Sequence, residues 1–510
     1  MGGMSLPQPH CAAEQVAAAR AAQPAWAAVP LRRRLDAVRR LRHLLADRAD
    51  DLCAAVAADV GKSAEETLAA DLLPLAAACR FLERRAAAVL RPRRVSRWLR
   101  PLWLWGQSDT VHRRPRGVVG VIGTWNYPLF LGGVQMAQAL VAGNAVAWKP
   151  SELSAAGGEL LHRLFVDAGF PPDAVRRLPA TREAGPELAE ADVDHVVFTG
   201  SADVGRRLAR RLGERLVSST LELSGCDALF VLDDADVALA ARAAWSGALL
   251  NRGQTCLAVR RAVVQRPVYD AFCAALAAQT GDAAPRRLAL PSQAEQAERL
   301  VRAALEQGGR LLTPPPAAAA GAWPPTVVAD ARPDMALCRE ASFAPLLAVL
   351  PCDGDADALA AADERCPYAL GASVFTRRPA RAEALAARLR AGAVAVNDVI
   401  APAAHPATPF GGRGDSGWGS TQGEEGLLEM TVPQVVSVRG GSFRPHYDLI
   451  SPERAAAHGE LLRGLLESAH APTLWRRLRG WRRLLRAMWR GAGSKGEPGA
   501  SATGGESSGR

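Results

Sequence analysis

The chain has 510 residues, 49% of them apolar, and a formal net charge of +10. That length is too great for one simple core and predicts two or three domains, and the apolar content excludes a disordered chain. It has no uninterrupted apolar run of about eighteen residues, which excludes a spanning helix, and no apolar core follows a basic start, so no signal peptide is expected.

Residues 12–90 are expected to be helical. Leu31 to Leu52 has apolar residues three and four apart with arginines between them. Pro92 and Pro101 break the pattern. Val118 to Ile122 is a β-branched run closed by Gly123, which predicts a buried strand. Ala145 to Trp148 and Val196 to Thr199 predict two more. Gln135 to Val141 and Gly157 to Ala168 predict helices between them. Strands that alternate with helices predict a parallel, doubly wound sheet.

A second alternation begins near Leu221. Ala228 to Leu232, Ala262 to Val264 and Leu346 to Leu350 are candidate strands. Asp236 to Leu250 and Gln293 to Gln307 are candidate helices. Thr313 to Pro325, rich in Pro and Ala, predicts a loop. Val394 to Asn397 and Val435 to Val438 are late strands. The Gly/Ser-rich tail beyond Gly491 predicts disorder.

Nine cysteines are scattered along the chain, an odd number, without a CxxC pair or a Cys/His cluster. This predicts a reducing compartment, no disulfide framework and no metal. The charge is local. Arg91 to Trp105 and Pro472 to Arg490 are rich in arginine and free of acids. Together they hold more than the whole net charge, so nucleic acid is not an expected partner. Lysine is scarce: Lys62, Lys149 and Lys495 are the three present. Where arginine is the rule, a compact ammonium invites a specific reason.

Several segments carry candidate chemistry. Cys256 closes Asn251-Arg252-Gly253-Gln254-Thr255-Cys256, a loop of small residues that lets a substrate reach a thiolate. A buried core cysteine is the ordinary alternative. Glu222, between two leucines, would have a raised pKa if buried and could act as a general base; a surface glutamate is the alternative. Asn126 follows a strand end, where its amide can donate to a developing oxyanion, or simply form an Asx turn before Pro128. Lys149 and Glu152 sit at a strand's C-terminal end, where α/β sheets bind ligands. Gly200 and Ser201 form a strand–helix junction suited to a pyrophosphate.

The order and spacing of these segments are more specific than any one. WNYP at 125–128, KPSE at 149–152, FTGS at 198–201, LELSG at 221–225, GQTC at 253–256 and PFGGRGDSGWG at 409–419 together resemble the aldehyde dehydrogenase superfamily over residues 15–440. Asp59-Val60-Gly61-Lys62 and Val396-Asn397-Asp398 look most like its class-3, fatty-aldehyde-type branch. The resemblance implies an α/β fold with two doubly wound parallel-sheet domains and a small β-arm for oligomerisation. Residues 1–90 and 112–222 would bind the cofactor, 223–431 would form the catalytic domain, and 91–111 with 432–440 the arm.

The resemblance also implies roles. Cys256 would attack an aldehyde carbonyl. Asn126 and the backbone N–H of Cys256 would hold the oxyanion. Glu222 would activate water to hydrolyse the thioester. Trp125, Lys149, Glu152, Gly200, Ser201 and Phe343 would contact NAD, or alternatively NADP. Tyr127 and Phe410 would line the substrate pocket. A cytoplasmic homodimer acting on a medium- or long-chain, or otherwise apolar, aldehyde is the expectation. Two rivals share the fold: a CoA-linked or reductive acyl-transfer enzyme, and a silent membrane-associated scaffold.

The chain departs from the family at Ala341. The family reads Glu-x-Phe-Gly-Pro, and its glutamate holds the nicotinamide ribose. Here Ala341 takes that place, and Glu340, one residue early, would face the other way in a strand. Residues 441–510 lie beyond the resemblance. Within Pro472–Arg490, Trp and Leu residues fall on one helical face and most arginines on the other, the pattern of an interfacial membrane helix. Packing on a partner subunit or on the parent domain is the alternative. Trp98, Trp103 and Trp105 in the other basic segment could share that surface.

Overall fold

The computed structural model describes residues 11–101, 104, 106–281, 284–316, 321–361, 366–441, 444, 447 and 452–493. The chain divides into two compact units: residues 1–91 with 113–433, and residues 92–112 with 434–510. The first unit holds two parallel sheets flanked by helices, an α/β fold.

The helices that open the chain span Ala12–Val89. In Leu31–Asp47 the residues Leu35, Val38, Leu41 and Leu45 all turn inward, as their spacing of three and four requires. One sheet runs in the order Gly417–Trp418, Ser218–Glu222, His195–Thr199, Val118–Ile122, Ala145–Lys149, Val175–Arg177. Only its first pairing is antiparallel. Helix Phe130–Ala142, apolar except for Gln135 and Gln138, is buried along its whole length. It stops at Gly143, whose φ of 97° provides a left-handed cap.

The register of this sheet matters for chemistry. Ile122 lies opposite Lys149 and Phe198, and Thr199 lies opposite Glu222. The segments that follow Ile122, Lys149, Thr199 and Glu222 therefore leave one end of the sheet together. That is the end at which open parallel sheets bind ligands.

The other sheet has seven strands, in the order Arg310–Leu311, Thr326–Ala329, Leu346–Cys352, Val259–Gln265, Asp227–Val231, Gly371–Phe375, Ala393–Val396. All pairs are parallel except the first. Three of the strands expected near Leu221 onward are its centre. Thr326–Ala329 and Gly371–Phe375 were not expected, because each is short and the second opens on Gly-Ala-Ser. Thr313 to Pro325 is not wholly a loop: Ala322–Trp323 pairs with Arg286–Arg287.

The second unit holds Arg93–Arg94 and most of Gln107–Pro115 and Thr431–Arg439, which form one three-stranded sheet. It also holds two helices, Pro452–His470 and Leu474–Gly493. The first of these was not expected. Among the described residues, no helix is long and apolar enough to cross a membrane. The tail from residue 494, Trp103 and Trp105 lie outside the described residues.

Candidate active site

Asn126 is held from beneath by a buried ion pair. Lys62 Nζ lies 2.7 Å from Asp71 Oδ2, and both side chains are fully enclosed. The same ammonium donates to the Asn126 carbonyl at 2.8 Å. It also sits 4.4 Å over the Tyr127 ring. Asp71 lies in a π-helical turn, Leu68–Leu72. Its second oxygen accepts from the backbone N–H groups of Leu129 and Phe130, each at 3.1 Å. The pair thus fixes both ends of the segment 126–130. Asn126 Oδ1 accepts from Thr124 Oγ1 at 2.8 Å and from the Tyr127 N–H at 3.1 Å. Two donors on one atom define it as oxygen. Nδ2 therefore points the other way and donates to the Gln254 carbonyl at 3.0 Å, beside the cysteine loop.

That loop is bent by three successive left-handed residues: Asn251 (φ 50°), Arg252 (φ 60°) and Gly253 (φ 75°). Two of them are not glycine, so the bend is strained and needs support. Asn251 Nδ2 supplies some by donating to the carbonyls of Asn126 and Gln254, at 3.1 and 3.2 Å. Arg260, buried, donates to the carbonyls of Gly253 and Ala344. At Gly253 a Cβ would stand 2.4 Å from the Ala344 carbonyl, so no side chain fits. Of the nine cysteines, seven are buried and Cys11 is exposed; Cys256 lies between these extremes. Burial, with the negative carboxylates of Glu222 and Asp227, pushes the Cys256 thiol up to about 12. Backbone N–H groups of Leu257 and Cys256 itself oppose that shift. The resting group is a thiol, and it needs a base to become a nucleophile.

Glu222 ends its strand fully enclosed. Thr199 Oγ1 donates to one carboxyl oxygen at 3.4 Å, and Thr421 Oγ1 donates to the other. Gln135 Nε2 donates in turn to Thr199 Oγ1 at 3.1 Å. Burial pushes the carboxyl up to about 7, and the two threonine hydroxyls hold it from rising further. It is not the surface glutamate that its sequence alone also allowed. Thr421 and Arg260 were not singled out from sequence. Thr421 carries no motif. Arg260 and Arg261 did offer a signal, since two arginines inside the apolar strand Val259–Gln265 must be buried and must find carbonyls.

The apolar side of the thiol is formed by Leu257, Leu370 and Phe410, with Ile400 and Ala403 packed against them. Tyr127 is buried, and its hydroxyl lies 2.6 Å from Thr255 Oγ1, next to the cysteine.

The cofactor-binding candidates lie along the strand ends. Lys149 Nζ contacts Glu152 Oε2 at 3.0 Å, and Arg182 Nε contacts Oε1 at 2.9 Å. Burial works against the Glu152 anion, but backbone N–H groups and the two cations outweigh it and hold the carboxyl below its ordinary value. Ser201 caps helix Ala202–Glu214 by accepting from the Val204 N–H. Gly205 lets that helix approach the sheet, since a Cβ there would stand 2.6 Å from Leu223. Trp125 and Phe343 meet edge to face with centroids 6.1 Å apart. An ammonium and a carboxylate for ribose hydroxyls, a capped helix N-terminus for a pyrophosphate and an aromatic pair for a flat ring fit a nicotinamide dinucleotide.

The Ala341 segment is a loop, not the strand assumed from sequence. Glu340 nevertheless points elsewhere: its carboxylate pairs with Arg299 at 2.5 Å. It cannot take the place of the missing glutamate without breaking that pair. Ala341→Glu is expected to lower the KM for the cofactor several-fold; steady-state kinetics that show an unchanged KM would sink this account of the site.

Comparison with known proteins agrees with this geometry. The aldehyde dehydrogenase family model matches residues 2–436. The 4,4'-diapolycopene aldehyde oxidase of Methylomonas sp is 33% identical over 442 residues, which cover 85% of this chain and 82% of that protein. A Mycobacterium tuberculosis aldehyde dehydrogenase solved with NAD+ is 29% identical, with a TM-score of 0.79 over 86% of this chain and 92% of that one. The NADP-dependent glyceraldehyde-3-phosphate dehydrogenase of Bacillus halodurans, solved with NADP, is 26% identical, with a TM-score of 0.78 over 84% and 91% of the two chains. The chain belongs to the aldehyde dehydrogenase family, the nicotinamide-dependent oxidoreductases that act on aldehydes.

Proposed function

We propose that the chain oxidises a medium- or long-chain, or otherwise apolar, aldehyde to its carboxylic acid through a thioester on Cys256. The observation that carries this is the buried Glu222 carboxyl, poised at about 7 within electrostatic reach of the thiol of Cys256, a residue between buried and exposed.

The sulfur of Cys256, once deprotonated, forms a bond to the aldehyde carbon, and the carbonyl electron pair moves onto oxygen. Asn126 Nδ2 and the Cys256 backbone N–H donate to that oxyanion, a contribution worth roughly 10²–10³ in rate for one such donor. Trp125, Lys149, Glu152, Gly200, Ser201 and Phe343 would hold NAD or NADP, which would accept the hydride that leaves the carbon as the carbonyl re-forms, so that a thioester remains on Cys256. Glu222 then takes a proton from water, the hydroxide adds to the acyl carbon, and the Cys256 thiolate leaves. A CoA-linked transfer would not need this base. Arg182 offsets the Glu152 charge, which would otherwise repel a 2′-phosphate, so both cofactors belong in the reading.

The apolar substrate is supported by Leu257, Leu370 and Phe410 around the thiol. The relative named 4,4'-diapolycopene aldehyde oxidase points the same way. So does the likeness of Asp59–Lys62 and Val396–Asp398 to the class-3 branch. In this reading 1–90 with 112–222 is the cofactor domain and 223–431 the catalytic domain. Strand Thr431–Arg439 is an edge strand that exposes Val435, Val436 and Val438, and it serves homodimerisation. The enzyme works in the cytoplasm, peripheral to the inner face of the membrane.

The test is a panel of short and long, aliphatic and aromatic aldehydes with each cofactor, and Cys256→Ala as control. Turnover on apolar aldehydes that vanishes in the variant is expected. No turnover on any aldehyde would favour a silent scaffold, and turnover that requires CoA would favour acyl transfer.

A further inference from the structure

We propose that the two C-terminal helices form an interfacial anchor whose tryptophan-rich face lies on an anionic phospholipid surface. This deepens the peripheral placement above and rests on it, and it is independent of the chemistry at Cys256.

Helices Pro452–His470 and Leu474–Gly493 pack on each other as a hairpin turned at Ala471-Pro472-Thr473. Two glycines set their approach. A Cβ at Gly464 would stand 2.7 Å from the Leu484 backbone nitrogen, and one at Gly480 would stand 2.3 Å from that of Ser468. Leu465, Ser468, Ala471 and Leu484 are buried in this contact. Arg483 adds an ion pair to Glu467 at 2.7 Å.

The contact uses only the edge of the second helix. At about 100° per residue, Met488, Trp481, Leu485, Leu478, Trp489 and Trp475 sweep through about 140° of it, starting beside Leu484. All six remain exposed, Leu478 and Trp481 least, at 43% each. Trp489 is 87% exposed, Trp475 80% and Leu474, on the same face, 72%. A stripe of this size left in water marks an interaction surface. The hairpin therefore does not use up the apolar face, and packing on the neighbouring helix is not the role of these tryptophans.

Charge selects the occupant. The helix carries seven arginines and no acid. Arg479, Arg483 and Arg486 project away from the apolar face, while Arg477 falls at one margin and Arg482 just inside the other, between Trp489 and Trp475. Guanidinium groups at the margins of a Trp/Leu face sit where lipid phosphates would be. The same helix of a second copy is a poor occupant, because face-to-face docking of two such helices brings their arginines together and neither helix carries an acid. The helix is about 30 Å long, enough to lie along a leaflet.

The test uses the full-length chain and vesicles of phosphatidylcholine, with or without phosphatidylglycerol. The chain is expected to sediment with the anionic vesicles, to stay in solution with phosphatidylcholine alone, and to be released by high salt. Its tryptophan emission should shift to the blue on binding. The variant Trp475→Ser/Trp481→Ser/Trp489→Ser should lose at least 10-fold in vesicle affinity and keep its turnover of a water-soluble aldehyde. A chain that does not bind anionic vesicles overturns the proposal, as does a variant that sediments unchanged. So does self-association in size-exclusion chromatography that the triple variant abolishes, because the face would then belong to a second copy. Turnover failing in the unaltered chain would contradict the catalytic reading alone.

Discussion

Glu222→Gln is expected to release one equivalent of reduced cofactor per active site and then to turn over roughly 10²–10⁴-fold more slowly, the usual range for a general base. The amide keeps the shape of the carboxyl and can still bond Thr199 and Thr421, but it cannot take a proton from water. Acylation of Cys256 then outruns hydrolysis, and the thioester accumulates. The pH dependence follows from the same group. Because burial raises the Glu222 carboxyl to about 7, the active, ionised base is scarce at pH 6 and nearly complete at pH 8. The steady-state rate of the unaltered enzyme should rise through pH 7 by that titration, and the variant should lack this limb. Stopped-flow absorbance of the reduced cofactor checks both. A variant with no burst, or with the same pH limb, would remove Glu222 from the role of base.

Lys62→Met is the second large effect. The substitution leaves Asp71 as a buried carboxylate without its cation, and breaking such a pair costs about 3–5 kcal/mol. The denaturation midpoint in urea should fall accordingly. The loss should also reach the chemistry, because Lys62 Nζ holds the carbonyl of Asn126. A drop in kcat/KM of at least tenfold is expected under conditions where the variant is folded. Lys62→Arg should not rescue it, since a planar guanidinium does not fit a closed site built for an ammonium. Unchanged stability together with unchanged kcat/KM would show that the pair is not the support of the Asn126 loop.

The parallel sheets were legible in the sequence wherever β-branched residues run without interruption, as at Val118–Ile122. Strand Gly371–Phe375 was not, because its first three residues are small and tertiary pairing decides its state. The candidate catalytic groups were legible only in combination. Cys256 alone was one thiol among nine. Its distinction is a strained loop and a partial exposure that no local pattern states. Lys62 stood out as a rare lysine, but its partner Asp71 sits in an alanine-rich helix with nothing to mark it. Thr421 was invisible because its role depends on the antiparallel approach of Phe410 and Thr421 across a bridge far from Glu222 in sequence. At Ala341 the expected strand is a loop, and Glu340 is turned away by its pairing with Arg299 and not by strand alternation.

The central claim is the bond between Cys256 and the acyl group. Glu222→Gln, mixed with an apolar aldehyde and NAD, quenched in acid and digested, provides the direct measurement by mass spectrometry. The account predicts the acyl mass on the peptide that contains Cys256, and none after Cys256→Ala is added to the same variant. An acyl group on another residue, or turnover without any covalent adduct, would contradict it.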